Sequence, residues 1–250
     1  MSENLRTSLK KKLFKIVINL DAIFHKIDTR LHRKAKGFFG YAKSEEISPR
    51  VFEYSFLIRN MPERGTVLDV GCTAGLNFLP VALSDLGYEV YGIDLRPFKI
   101  RSNNFQFIMA DARYLPFRNV FDFCYGVSTV EHIGLRGTSS PLLGKIEDLE
   151  GDIKAIKEIQ STMKPNGIMI ITIPFGKSDI LPRIASRIYD ANGIERLFNG
   201  LTIVAEEYVT KIGDTWQKVS QNEAAKANHA SEDIAVAMFK LHKQKEKNKR

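Results

Sequence analysis

The sequence predicts an open, mostly parallel α/β sheet with helices on both faces, preceded by a helical extension. Three observations carry that expectation. From Gly65 onward, short β-branched or apolar runs alternate with helix-length segments, the pattern of βαβ units. One run, Ile168 to Ile173, is apolar throughout, as in a strand buried on both faces. And a carboxylate stands at or just past the end of three successive runs, at Asp69, Asp94 and Asp111.

In chain order, Leu9, Leu13, Ile16, Val17, Leu20, Ile23, Phe24, Ile27 and Leu31 recur at spacings of three and four, and lysines and arginines border that stripe. Residues 1–45 therefore read as a basic amphipathic helical extension. Ser44 to Pro62 reads as a second helix, started near Ser48-Pro49. Thr66–Val70 is the first strand. Asn77–Leu86 is a helix stopped at Gly87. Glu89–Ile93, Phe105–Met109 and Phe121–Val127 are the next strands. Residues 151–163 form a helix with Ile153, Ile156, Ile159 and Met163 on one side. Pro165-Asn166-Gly167 turns into Ile168–Ile173. Residues 201–209 and 234–241 are two further strands, and the polar stretch Gly213–Ser231 between them reads as a loop or short helix. The main domain is expected over 46–242, with a basic tail over 243–250.

The chain has 250 residues, 44% of them hydrophobic and 26% charged, enough to bury a core without disulfide or metal staples. Its 2 cysteines, Cys72 and Cys124, exclude a disulfide scaffold, and no paired CxxC suggests structural zinc. No apolar run approaches the roughly 20 residues needed to span a bilayer, and lysines interrupt any signal-peptide pattern near the start. The expected compartment is the cytoplasm. The net charge of +8 is concentrated at the two ends. Residues 1–45 hold eleven Lys/Arg against four Asp/Glu and residues 240–250 six against one, so the body between them is mildly acidic. That distribution argues against an enzyme clothed all round in nucleic-acid contacts. The N-terminal helix either packs over the domain as a lid or lies peripherally on an anionic membrane.

The sharpest motif is Val67-Leu68-Asp69-Val70-Gly71-Cys72-Thr73-Ala74-Gly75. A dinucleotide fingerprint starting at Gly71 would need glycine at 73 and 76, where Thr73 and Leu76 stand, and the Gly-Lys-Ser/Thr of a phosphate-binding loop is absent. Asp69 would repel a pyrophosphate but suits a cationic ligand. Asp94, 23 residues past Gly71, is placed to accept hydrogen bonds from ribose hydroxyls. Asp111 can accept from an adenine amino group. Open α/β sheets bind ligands at these carboxyl ends.

Together LDVGCTAG, GIDL, MADARYLPF, the run Phe121–Ser128 and MKPNGIMIITIPFG resemble the class I S-adenosylmethionine-dependent methyltransferases, over about residues 50–210. The resemblance implies a Rossmann-like sheet of seven strands, the last antiparallel, with S-adenosylmethionine across the strand ends. It implies Asp69, Gly71, Cys72 and Gly75 at the methionyl part, Asp94 and Leu95 at the ribose, Asp111 and Ala112 at the adenine, and Ser128 beside the sulfonium. Thr73 departs from the third glycine of many members, and its side chain is expected to tilt the loop or shape the methionine end. Glu131-His132 follows the fourth strand at the mouth of the donor pocket, where His132 can act as general base for an acceptor hydroxyl. Some members that methylate quinone precursors carry a Glu-x-x-Glu-His metal site. Ser128 stands here where its first Glu would be, so no metal is expected. His25, His32, His229 and His242 lack ligand spacing and are expected at the surface. The expected reaction is methyl transfer to an oxygen of a small molecule, a glycan or a lipid-linked intermediate. The alternatives are an RNA methyltransferase and a non-catalytic, membrane-associated scaffold.

Overall fold

The computed structural model describes residues 48–73, 78–135, 148–182, 184–213, 215–231 and 233–243. The expected N-terminal extension and Gly75 lie outside these residues, as does the basic tail beyond Lys243.

Helix α1 (Arg50–Asn60) opens the described chain and buries Glu53, Tyr54, Phe56, Leu57 and Ile58. Strand β1 (Thr66–Val70) follows, then α2 (Leu79–Asp85), β2 (Glu89–Asp94), β3 (Phe105–Met109) and β4 (Phe121–Val127). A single 3₁₀ turn covers Val130–His132. Next come α3 (Gly151–Thr162), β5 (Met163–Phe175), the short ribbon β6 (Asp179–Leu181) and β7 (Ser186–Ile188), and α4 (Ala191–Leu197). The chain continues through β8 (Leu201–Ile212), β9 (Thr215–Val219), α5 (Gln221–Ala224) and β10 (Ala235–Lys243).

The main sheet has 8 strands in the order β3-β2-β1-β4-β5-β10-β8-β9. The first five are parallel to one another, and β10 runs antiparallel between β5 and β8. Alternate residues of each strand feed two cores, one on each face. Val67, Phe123, Tyr125 and Ile170 pack with α1 and α2 residues such as Phe56, Leu57, Leu79 and Leu83. Leu68, Val70, Cys124 and Ile171 pack with Ile156 and Ile159 of α3 and Leu197 of α4.

The expected architecture stands, with one more strand in the main sheet than expected and the separate β6–β7 ribbon in addition. The added main-sheet strand is β9, in the stretch read as a loop: it pairs antiparallel with Tyr208–Ile212. As an edge strand it needs no apolar alternation, and Thr215, Gln217 and Lys218 are exposed. The turn at Pro165-Asn166-Gly167 lies inside β5, with Asn166 at φ 63°. Strand β10 extends to Lys243, one residue into the expected tail. His229 is not a free surface histidine: its Nε2 sits 2.9 Å from the Phe175 carbonyl, and burial depresses its pKa.

Candidate active site at the carboxyl ends of the strands

The parallel topology carries Asp69, Asp94 and Asp111 to one edge of the sheet. In β1, Asp69 is the residue paired with Gly92 of β2 and Tyr125 of β4. It is 6% exposed and lines a small cleft with Tyr54, Val70, Gly71, Leu79, Tyr125 and Val127. Burial pushes its carboxyl up to about 7, the Tyr125 hydroxyl opposing the rise and the charge of Asp94 adding to it. The Tyr125 hydroxyl is itself buried without a completed hydrogen bond. A buried carboxylate and an unsatisfied hydroxyl in one cleft suit a cationic hydrogen-bond donor such as an ammonium group.

Gly71 makes the turn above this cleft. Its φ of +80° is the left-handed region, and a Cβ there would come within 2.5 Å of Thr129. The Gly71 and Cys72 amides both donate to the Ile93 carbonyl, at 2.8 and 3.2 Å, which ties the turn to β2. The Cys72 side chain packs inward while its amide stays in the turn. That side chain is 2% exposed, and its Sγ would stand 2.8 Å from a Cβ at Gly92, so it fills the space beside that glycine.

Asp94 is buried, and its carboxylate is heavily engaged. Its Oδ2 accepts from the Thr73 amide and hydroxyl at 3.2 and 2.6 Å and from Arg96 Nη2 at 3.0 Å. Its Oδ1 accepts from the Arg96 amide and Nε at 2.9 and 3.0 Å. Burial alone would raise its pKa, but these hydrogen bonds hold it below the usual carboxylate range. Thr73 therefore braces the second strand's carboxylate. Leu95 beside it is half-buried.

Asp111 repeats the arrangement. Its Oδ1 accepts from the Arg113 amide and Nε, and its Oδ2 from Arg113 Nη2 at 2.6 Å. Arg113 also reaches Asp148 at 3.2 Å, so the third strand end is tied to the segment that leads into α3. Ala112 belongs to the apolar core. The sequence does carry a signal for both arginines, the repeated Asp-x-Arg of 94–96 and 111–113.

Past β4 the chain turns sharply. Ser128 has φ 44°, costly for a residue with a side chain, and is held by Glu53. The Ser128 and Thr172 hydroxyls both donate to Glu53 Oε1, at 2.5 Å each. Arg50 donates to the Val127 carbonyl at 3.0 Å. Helix α1 thus clamps the end of β4, a role for Glu53 that its sequence context does not announce. Ser128 is not among the residues lining the Asp69 cleft.

His132 stands one turn beyond Thr129, whose carbonyl accepts from the His132 amide at 3.1 Å. Its Nδ1 lies 2.7 Å from the Ala185 carbonyl. A carbonyl only accepts, so that bond assigns the proton to Nδ1 and leaves the Nε2 lone pair free in the neutral ring. The ring is 40% exposed, and Nε2 is 3.7 Å from Glu131 Oε1. Glu131 is buried, which pushes its pKa up to about 7 against the favourable charge of His132.

A model of the family described as "Caenorhabditis protein of unknown function, DUF268" matches residues 89–241. No curated protein sequence matches the chain. Among solved structures, the [4+2]-cyclase SpnF superposes with a TM-score of 0.53 at 20% identity, over 83% of this chain and 84% of that one. A S-adenosylmethionine-dependent methyltransferase from Methanosarcina mazei gives 0.51 at 15% identity, over 80% and 100%. The N-methyltransferase NodS from Bradyrhizobium japonicum, solved with S-adenosylhomocysteine, gives 0.50 at 15%, over 78% and 87%. The architecture is that of the class I S-adenosylmethionine-dependent methyltransferases.

Proposed function

Since this chain belongs to the DUF268 family, whose description leaves the activity open, we propose a function from the site itself: it binds S-adenosylmethionine and methylates an acceptor oxygen. The observation that carries this reading is the convergence of Asp69, Asp94 and Asp111 on one edge of a methyltransferase-type sheet, with a buried carboxylate in a cleft suited to a cation. In this reading Asp69 and the Tyr125 hydroxyl hold the amino acid end, Asp94 the ribose and the Asp111 segment the adenine. When bound, S-adenosylmethionine supplies a methyl group already activated on a sulfonium. The chain's own work is then to align the acceptor, exclude water and remove a proton. His132 Nε2 is the group oriented to take that proton.

Exposed apolar residues ring the same edge and support an acceptor with an apolar portion. Tyr114 is 69%, Leu149 60% and Ile184 50% exposed. Hydrogen bonds join these residues or their sequence neighbours to the site's surroundings: Arg113 bonds the Asp148 carboxylate, Arg187 the Leu149 carbonyl, and His132 the Ala185 carbonyl. The decisive experiment is transfer of tritiated methyl into a fractionated extract, with label expected in the organic-soluble or glycan fraction. Label in RNA would instead support the nucleic-acid reading. One neighbour of this architecture is a cyclase, so label in no fraction would point away from methyl transfer.

Two expected results test the cofactor part. Asp94→Ala removes the ribose acceptor and strands Arg96 without its counter-ion. Binding of S-adenosylhomocysteine, measured by calorimetry, should weaken by about 2–3 kcal/mol. Wild-type affinity in that variant would remove Asp94 from the site. The second result concerns pH. An ammonium group binds the ionised form of Asp69, and that form prevails above about 7. Affinity should therefore rise with pH up to about 7 and then level off, with a limiting slope of roughly tenfold per pH unit. Asp69→Asn should flatten the profile. A wild-type profile that is already flat would mean Asp69 does not face the ammonium.

A further inference from the structure

Asp94 accepts from five donors, three on Oδ2 and two on Oδ1. A carboxylate offers about four lone-pair positions, so no acceptor site is left for a ribose. Three of the five donors are the backbone amides of Thr73 and Arg96 and the Thr73 hydroxyl, all of which belong to the turns that shape the site. The other two are Nε and Nη2 of the Arg96 side chain, one on each carboxylate oxygen, at 3.0 Å each. A ribose presents its two neighbouring hydroxyls to a carboxylate in the same way, one donor to each oxygen. The guanidinium thus occupies the two positions that a ribose diol needs.

We propose that Arg96 is the affinity-setting residue of the nucleoside site, a side-chain surrogate for the ribose that has to be exchanged for the ligand. The proposal rests on the adenosyl-cofactor reading above. Arg96 is suited to such an exchange. Its side chain is 44% exposed, so it can swing into water without opening the core. Among the described residues its side-chain hydrogen bonds all go to Asp94, two positions away, so its departure breaks none to a distant described element. The exchange replaces hydrogen bonds charged on both sides by bonds charged on the carboxylate alone, and gives up the ion pair between Arg96 and Asp94. The resting pair therefore lowers affinity for any ribose ligand, and the enzyme binds its cofactor more weakly than the same pocket would without the arginine. The Asp-x-Arg repeat at Asp111 and Arg113 lacks this freedom, because Arg113 is 7% exposed and also bonds Asp148.

The test is calorimetric titration of the full-length wild type, Arg96→Ala and Arg96→Lys with S-adenosylhomocysteine, with thermal melts to confirm folding. Arg96→Ala should bind about fivefold more tightly than wild type, since an exposed ion pair is worth up to about 1 kcal/mol. Arg96→Lys, which keeps the charge but loses the fork, should fall between the two. In the wild type, titration should also shift the Arg96 Nε–H resonance towards that of a solvated guanidinium. Binding that is weakened or unchanged in Arg96→Ala overturns the proposal and leaves the cofactor reading intact. Binding by none of the three proteins overturns both.

Discussion

Replacing His132 by alanine is expected to cut turnover about 10²–10⁴-fold while leaving cofactor affinity nearly unchanged. The expectation follows from the tautomer. The Ala185 carbonyl, 2.7 Å from Nδ1, holds the ring with its Nε2 lone pair uncommitted. A hydroxyl acceptor must lose its proton as it attacks, and a half-exposed imidazole nitrogen just past the end of β4 is a group that can receive it. Glu131 stands beside it, with Oε1 3.7 Å from Nε2. Because burial raises Glu131 to about 7, the rate should climb as pH rises through that value, and Glu131→Gln should remove much of that climb. Single-turnover kinetics separate this from a structural loss, because a packing role would lower cofactor binding as well. A rate within about threefold of wild type would take His132 out of the chemistry and point to an acceptor that needs no base.

Arg187→Ala should destabilise the protein by about 3–5 kcal/mol in urea unfolding. Arg187 is 5% exposed, yet its guanidinium is fully used. Nη1 donates to the Glu131 and Ile133 carbonyls at 3.2 and 2.7 Å, and Nη2 to those of Asp148 and Leu149 at 3.3 and 3.0 Å. Its Nε lies 3.5 Å from Asp152, which is fully buried and also accepts from Tyr189 at 2.8 Å. Alanine would take this donor from four carbonyls, though that of Asp148 keeps the Gly151 amide, and would take the counter-ion from the buried Asp152, which keeps its bond from Tyr189. The same guanidinium fixes the backbone on both sides of residues 135–148 and so keeps His132 in place. Arg187→Lys should recover less than half of the loss, since one ammonium cannot reach four carbonyls in two directions. A loss below about 1 kcal/mol for alanine would show that the segment holds itself.

These two residues mark the boundary of what the sequence makes legible. Asp69, Asp94 and Asp111 can be read because each closes a short apolar run, and a parallel sheet brings such ends together. His132 can be read because it follows the fourth run. The groups that support them cannot. Glu53 bonds residues 75 and 119 positions away, and Arg187 bonds residues 38 to 56 positions away. Such pairings leave no periodic trace. Helix α4 did leave one, since Asp190 accepts from the Gly193 amide at 2.7 Å in a standard N-terminal cap, but the helix spans only two turns. Strand β9 is polar because it lies at an edge, and edge strands are where the alternation rule is weakest.

The order in which the chain is made carries a further consequence. Strand β10, at residues 235–243, is the last of the main sheet to be synthesised, yet it lies between β5 and β8. It joins them through an eight-residue register on one side and a nine-residue register on the other. Until it emerges, the β5 edge of the parallel strands and the β8 edge of the following hairpin lack their partner strand, and the β5 edge is apolar. Ile170, Ile171 and Ile173 stand on one of those edges, and unpaired edges of this kind invite pairing with other chains. The two-sided core is therefore completed after translation of residue 243. A ribosome that stops short of it releases a polypeptide with both templates exposed, a natural substrate for chaperones and proteases.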